Sequence, residues 1–151
     1  KWNLPLDPKK SFEWLSVIIQ RFLNKNGLSS STGRISDILA SNGGDFKKVS
    51  GTAQARRGSA LLWHSTLMIE TPVERIVRYL PIPPDRPGLK HEDYVTNLKN
   101  LNVKKSFESV KTEIMDISKD FFQLDCHCVD FRSSGMENLP TTSYSNLLEG
   151  F

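Results

Sequence analysis

Phe46-Lys47-Lys48-Val49-Ser50-Gly51-Thr52-Ala53-Gln54-Ala55-Arg56, then Arg57-Gly58-Ser59, then Ala60–Ile69 is the stretch that decides the fold. Both long segments read as strands, and the short Gly-containing break between them is the pattern of a β-hairpin. As a strand, the first segment shows Lys48, Ser50, Thr52, Gln54 and Arg56 on one face. Its other face carries Val49, Gly51, Ala53 and Ala55, all small. Small residues let another layer pack close behind, so this face is expected to point inward and the polar face outward.

The loop length sets what joins that polar face, because a one-residue slip turns every side chain over. A three-residue loop pairs Arg56 with Ala60, Thr52 with His64 and Ser50 with Thr66. Lys48, Ser50, Thr52, His64 and Thr66 would then lie together. A two-residue loop would bring Trp63 there instead.

On the N-terminal side, Leu4–Leu6 reads as the close of a strand, and Asp7-Pro8 as a cap and first turn. Phe12, Leu15, Ile18, Ile19 and Phe22 follow at helical spacing, and Asn26-Gly27 ends that helix. Leu28–Arg34 reads as a Ser-rich connection, Ile35–Ala40 as a short strand and Asn42-Gly43-Gly44-Asp45 as a turn.

On the C-terminal side, Thr71-Pro72-Val73-Glu74 predicts a helix opened by a capping box, with Val73, Ile76, Val77 and Leu80 buried. Pro81–Gly88 reads as an extended crossing, and His91–Leu98 as a helical turn. Phe107, Val110, Ile114, Ile117 and Phe121 predict a last helix over Ser106–Phe122. From Asp125 the periodicity fades into a weakly ordered polar tail. The order of elements predicts an α+β fold with an antiparallel or mixed sheet and packed helices.

Composition narrows the function classes. With 20 basic and 17 acidic side chains, a net charge of +3 is too balanced to argue for nucleic acid. A nucleic-acid role through Lys47, Lys48, Arg56 and Arg57 would also lack the stacking aromatics of a single-strand platform, Trp63 being the nearest. No apolar run approaches the roughly 20 residues of a membrane span. Cys126-His127-Cys128 offers soft ligands, but a zinc site needs about four and no second pair exists. Two reduced thiols in a cytoplasmic protein is the expectation, and no metal site is assigned.

A lysine beside small hydroxyl residues can hold an anionic phosphate and a carboxylate oxygen together. The same pattern also suits the solvated face of an amphipathic hairpin.

Lys48-Val49-Ser50-Gly51-Thr52-Ala53 and His64-Ser65-Thr66-Leu67 resemble the Lys-Ile/Val-Ser-Gly-x-Ala motif and the following His-containing strand of the lipoate–protein ligase and octanoyltransferase family. Gly33-Arg34 with Asp37-Ile38, and Val95-Thr96-Asn97-Leu98, resemble two further segments of that family in the right order. The resemblance implies a biotinyl/lipoyl protein ligase-like catalytic domain, with residues 1–124 as its C-terminal part and 125–151 as the tail. It implies that Lys48 is catalytic, contacting the lipoyl carbonyl and the nucleotide phosphate. Asp37 would hold the active-site side of the sheet. Ser50, Gly51, Thr52, Ala53, His64 and Thr66 would line the acyl-adenylate.

The family's arginine- and glycine-rich loop is absent from these residues. It is expected to precede Lys1, in a missing N-terminal half or a partner chain. The family's Asn before the aspartate is also replaced, here by the sequence Ile35-Ser36.

The activity implied is activation of lipoate by ATP–Mg²⁺ to lipoyl-adenylate, then transfer to a lysine of an acceptor lipoyl domain or glycine-cleavage H-type protein. A fragment alone is expected to be inactive. Octanoyl or lipoyl transfer on the same fold through a cysteine nucleophile is the nearest alternative. A non-catalytic, incomplete ligase-like domain is the alternative from another class.

Overall fold

The computed structural model describes residues 5–34, 36–58, 60–81, 88 and 90–123. Leu4, most of the proline-rich crossing, Cys126-His127-Cys128 and the polar tail lie outside the described residues.

Helix α1 (Pro8–Lys25) starts where the sequence predicts, with the Asp7 carboxylate accepting from the Lys9 N–H at 2.8 Å. It ends at Asn26, followed by Gly27 at φ +78°, a conformation that favours glycine. Its stripe buries Leu15, Ile18, Ile19, Phe22 and Leu23.

Four strands form an antiparallel sheet in chain order: β1 (Ser29–Thr32), β2 (Asp37–Ser41), β3 (Lys47–Arg57) and β4 (Ala60–Leu67). The Ser-rich connection is therefore partly an edge strand, with Ser29 to Thr32 paired to Ser41 to Ile38. Serine runs carry no alternation of hydropathy, so the pairing left no trace in the pattern. Helices α2 (Val73–Tyr79), α3 (His91–Tyr94) and α4 (Phe107–Phe122) follow. A parallel bridge from Lys48 to Val95 makes the pairing mixed at that one point.

The core lies between the sheet and the α1–α4 pair. Ile19, Phe22 and Leu23 of α1 meet Ile38 and Ala40 of β2, Val49 of β3, then Leu98, Val103 and Val110. Helix α4 docks along α1 through Trp14 against Phe121 and through Arg21 bonded to Asp120 at 3.1 Å.

Helix α2 departs from expectation. Pro72 is its N-cap, no side chain caps it, and none of its residues is buried. Val77 and Leu80, predicted inward, are exposed, as is Tyr79. The capping box fails because the helix begins one residue later than the sequence suggests, with Pro72 rather than Thr71 at the cap.

Glu113 ties the end of α1 to the start of α4. It bonds to Lys105 and accepts from Asn26 Nδ2 at 3.1 Å. The hydrogen bond from Lys105 chiefly holds its carboxyl below the usual range; burial opposes this, and Asn26 assists. A depressed carboxylate stabilises the fold above its unfolded pKa, and the contribution fades as pH falls through the folded value. Glu113→Gln should therefore cost about 1 kcal/mol near neutral pH, with the gap to wild type closing on acidification. Unfolding curves across pH would show this; a gap that widens in acid would contradict it.

Candidate functional site

The β3–β4 hairpin has a two-residue connection, since Arg57 pairs with Ala60 and Gly58 takes φ +58°. The register is therefore the alternative one: Ala53 opposite His64, Gly51 opposite Thr66, Thr52 opposite Ser65 and Gln54 opposite Trp63. This corrects the expected alignment of Ser50 with Thr66 and of Thr52 with His64.

The two faces of β3 are also inverted from expectation. Ser50 and Thr52 are buried, whereas Ala53, Ala55, His64 and Thr66 are exposed. The polar residues point to the α1 side because they find partners there. The Ser50 and Ser65 hydroxyls bond at 2.7 Å, and Thr52 Oγ1 donates to the Ser36 carbonyl at 3.1 Å. Gln54 Oε1 accepts from the Ser11 hydroxyl at 2.8 Å, and its Nε2 donates to the Pro8 carbonyl at 3.0 Å. Buried polar groups satisfied in this way carry little penalty.

Strict alternation would then bury Lys48 with Ser50. A β-bulge prevents it. Ile38 pairs with Ser50 but Leu39 pairs with Lys48, so Val49 is the extra residue on β3. Val49 turns into the core with 0% exposure, and Lys48 changes sides. A Cβ placed on Gly51 would lie 3.4 Å from Lys48 Cε, 3.5 Å from its Nζ and 3.8 Å from Thr66 Oγ1. The lysine thus lies across the bare Gly51 backbone, on the same face as Thr66 and His64.

Asp37 holds the lysine there. Its Oδ1 is 2.5 Å from Lys48 Nζ, with side-chain exposures of 5% for Asp37 and 29% for Lys48. The hydroxyl of Tyr94, from α3, donates to the other oxygen, Oδ2. Paired and hydrogen-bonded on both oxygens, this buried carboxylate has the satisfaction that burial of charge demands.

The Lys48 backbone is fixed from both sides. Leu39 pairs with it across β2, and the Thr96 N–H donates to its carbonyl at 2.9 Å. Val95-Thr96-Asn97-Leu98 acts as a splint. The Leu98 N–H reaches the Met68 carbonyl at 2.9 Å, and Asn97 Nδ2 reaches the Thr71 carbonyl at 2.9 Å.

The structure thus brings together Asp37, Lys48, Gly51, Ala53, His64 and Thr66 on one face. It sets the side chains of Ser50 and Thr52 on the other. Tyr94 was missed by the sequence reading, since nothing in a short helical turn signals contact with a residue 57 positions earlier. A groove of about 490 Å³ beside β3 is lined by Lys47, Glu74, Glu92 and Thr96 among others, but by neither Lys48 nor Asp37. It therefore lies apart from this cluster.

Among the described residues no helix is long and apolar enough to cross a membrane. None of the curated proteins is significantly similar in sequence. Solved structures that share the fold include the following three. A bipartite lipoate protein ligase from Thermoplasma acidophilum, studied with its E2 lipoyl domain, is 22% identical with a TM-score of 0.68, covering 82% of this chain and 49% of that one. A lipoate-protein ligase A bound with ATP is 20% identical at a TM-score of 0.67, covering 84% and 50%. A T. acidophilum protein with bound lipoic acid is 19% identical at 0.62, covering 82% and 49%. The chain spans about half the length of these structures. The family model of the lipoyl protein ligase A/B catalytic domain matches residues 2–118, so the chain belongs to that family.

Proposed function

We propose that this chain forms the lysine side of a site that activates lipoate with ATP and passes the lipoyl group to a lysine of an acceptor protein. The observation that carries this reading is the Lys48 ammonium, held by Asp37 across the bare backbone of Gly51 on an open face.

In the first step a lipoate carboxylate oxygen attacks the α-phosphorus of ATP. The bond to pyrophosphate breaks, leaving lipoyl-adenylate. In the second, the acceptor lysine amine attacks the acyl carbon, AMP departs and the amine loses a proton. Negative charge grows on the phosphate in one step and on the acyl oxygen in the other. Lys48 would meet both electrostatically, not as a nucleophile. Gly51 and Ala53 let a ligand approach the backbone closely, and His64 and Thr66 offer polar side chains on the same face. Ser50 and Thr52, turned to the core, would contribute through the backbone only.

The similar proteins with ATP and with lipoic acid bound support these substrates. Mg²⁺ would enter with the triphosphate of ATP, since it dehydrates reluctantly and is bound mainly through substrate phosphates and one or two carboxylates. The glycine-rich loop would come from the remainder of the catalytic domain, in the same polypeptide or a second chain. The T. acidophilum ligase is itself bipartite. An acceptor lipoyl domain or H-type protein is the partner.

The complete enzyme, incubated with ATP, lipoate and unmodified lipoyl domain, should add one lipoyl group to an acceptor lysine, read by mass spectrometry. Modification that proceeds equally without ATP, or an octanoyl thioester on an enzyme cysteine, would replace this reading with acyl transfer.

A further inference from the structure

Asp37 is 5% exposed and so nearly cut off from water. Lys48 meets its Oδ1 and the Tyr94 hydroxyl its Oδ2. A carboxylate this buried draws on such partners at both oxygens. An ammonium carries three donor hydrogens, and the one aimed at Asp37 leaves two for the open side over Gly51. The balance is delicate, because an unrelieved carboxylate would draw the ammonium wholly inward and cancel its charge.

We propose that Tyr94 is a positioning residue for the reaction: its hydroxyl holds one oxygen of Asp37, so that the other tethers the Lys48 ammonium without capturing it. The proposal rests on the ligase reading above. A hydrogen bond to the charged form draws off part of the carboxylate's charge. Lys48 is then left with more to offer an anion, and it can shift toward the open face without orphaning Asp37. The placement of Tyr94 is built into the fold. It immediately precedes Val95, which bridges to Lys48, and Thr96, whose N–H holds the Lys48 carbonyl. One segment therefore fixes the backbone of the lysine and restrains its counter-ion.

Tyr94→Phe in the complete enzyme keeps the ring and removes the hydroxyl. Acyl-adenylate formation should fall in kcat by about tenfold, the scale of one hydrogen bond to a charged group, with KM for ATP and lipoate changed less than about twofold. In an Asp37→Asn background, followed by single-turnover measurement, the same change should cost under about twofold, because no charge remains to be shared. A wild-type kcat in Tyr94→Phe, a loss confined to KM, or an equal loss in the Asp37→Asn background would overturn the proposal. If Tyr94→Phe is normal while Lys48→Ala is inactive, this inference alone falls. If the complete enzyme forms no acyl-adenylate, or Lys48→Ala forms it normally, the ligase reading falls and takes this one with it.

Discussion

Lys48→Ala in the complete enzyme is expected to slow acyl-adenylate formation by about 10²–10³-fold, the loss seen when one preorganised electrostatic contact to a transition state is removed. Stability should fall as well. The substitution takes the Lys48 ammonium from Asp37, a carboxylate with 5% exposure, and leaves the Tyr94 hydroxyl on its other oxygen. Leaving a buried charge without its counter-ion costs about 3–5 kcal/mol in the worst case, and the hydroxyl should keep the figure at the lower end. The two losses can be separated. Adding Asp37→Asn removes the stranded charge, so the double variant should recover most of the stability and none of the rate. Unfolding curves and single-turnover kinetics on the same three proteins would show it. Recovery of both properties together would mean that Lys48 serves only to neutralise Asp37.

The second large effect is on folding. Phe22 is 0% exposed and sits where α1 meets Ile38, Val49 and Leu98. Phe22→Ala should lower the unfolding free energy by about 3–5 kcal/mol, the transfer and cavity terms together. The effect should also reach the site, because Val49, the bulged residue that turns Lys48 outward, belongs to the same cluster. Denaturant unfolding would measure the cost. A loss under about 1 kcal/mol would mean that the core closes around the gap.

The sequence was legible wherever a local rule operates. The Asp7-Pro8 cap, the Phe22 stripe, the hairpin and the last helix all follow from spacing and cap chemistry, and all appear in the structure. It was silent where the deciding contact is distant. Ser50, Thr52 and Gln54 look like a solvated face until Ser65 meets Ser50, the Ser36 carbonyl meets Thr52, and Ser11 and the Pro8 carbonyl of α1 meet Gln54. Period-2 reasoning also assumes an unbroken strand. The extra residue at Val49 breaks it at the one position where the side of the sheet matters most. Two departures compensate here. The shorter loop put His64 and Thr66 on the face of Ala53 and Gly51, and the bulge turned Lys48 to that same face. Tyr94 reaches Asp37 only through tertiary packing, which no pattern in its neighbourhood encodes.

The most direct test is lipoate-dependent exchange of labelled pyrophosphate into ATP by the complete enzyme, which reads reversal of the adenylation step alone. The wild type should exchange, and the Lys48→Ala/Asp37→Asn double variant, folded and stable, should not. Exchange by the double variant at the wild-type rate would contradict the assignment of Lys48 and with it the account of the site.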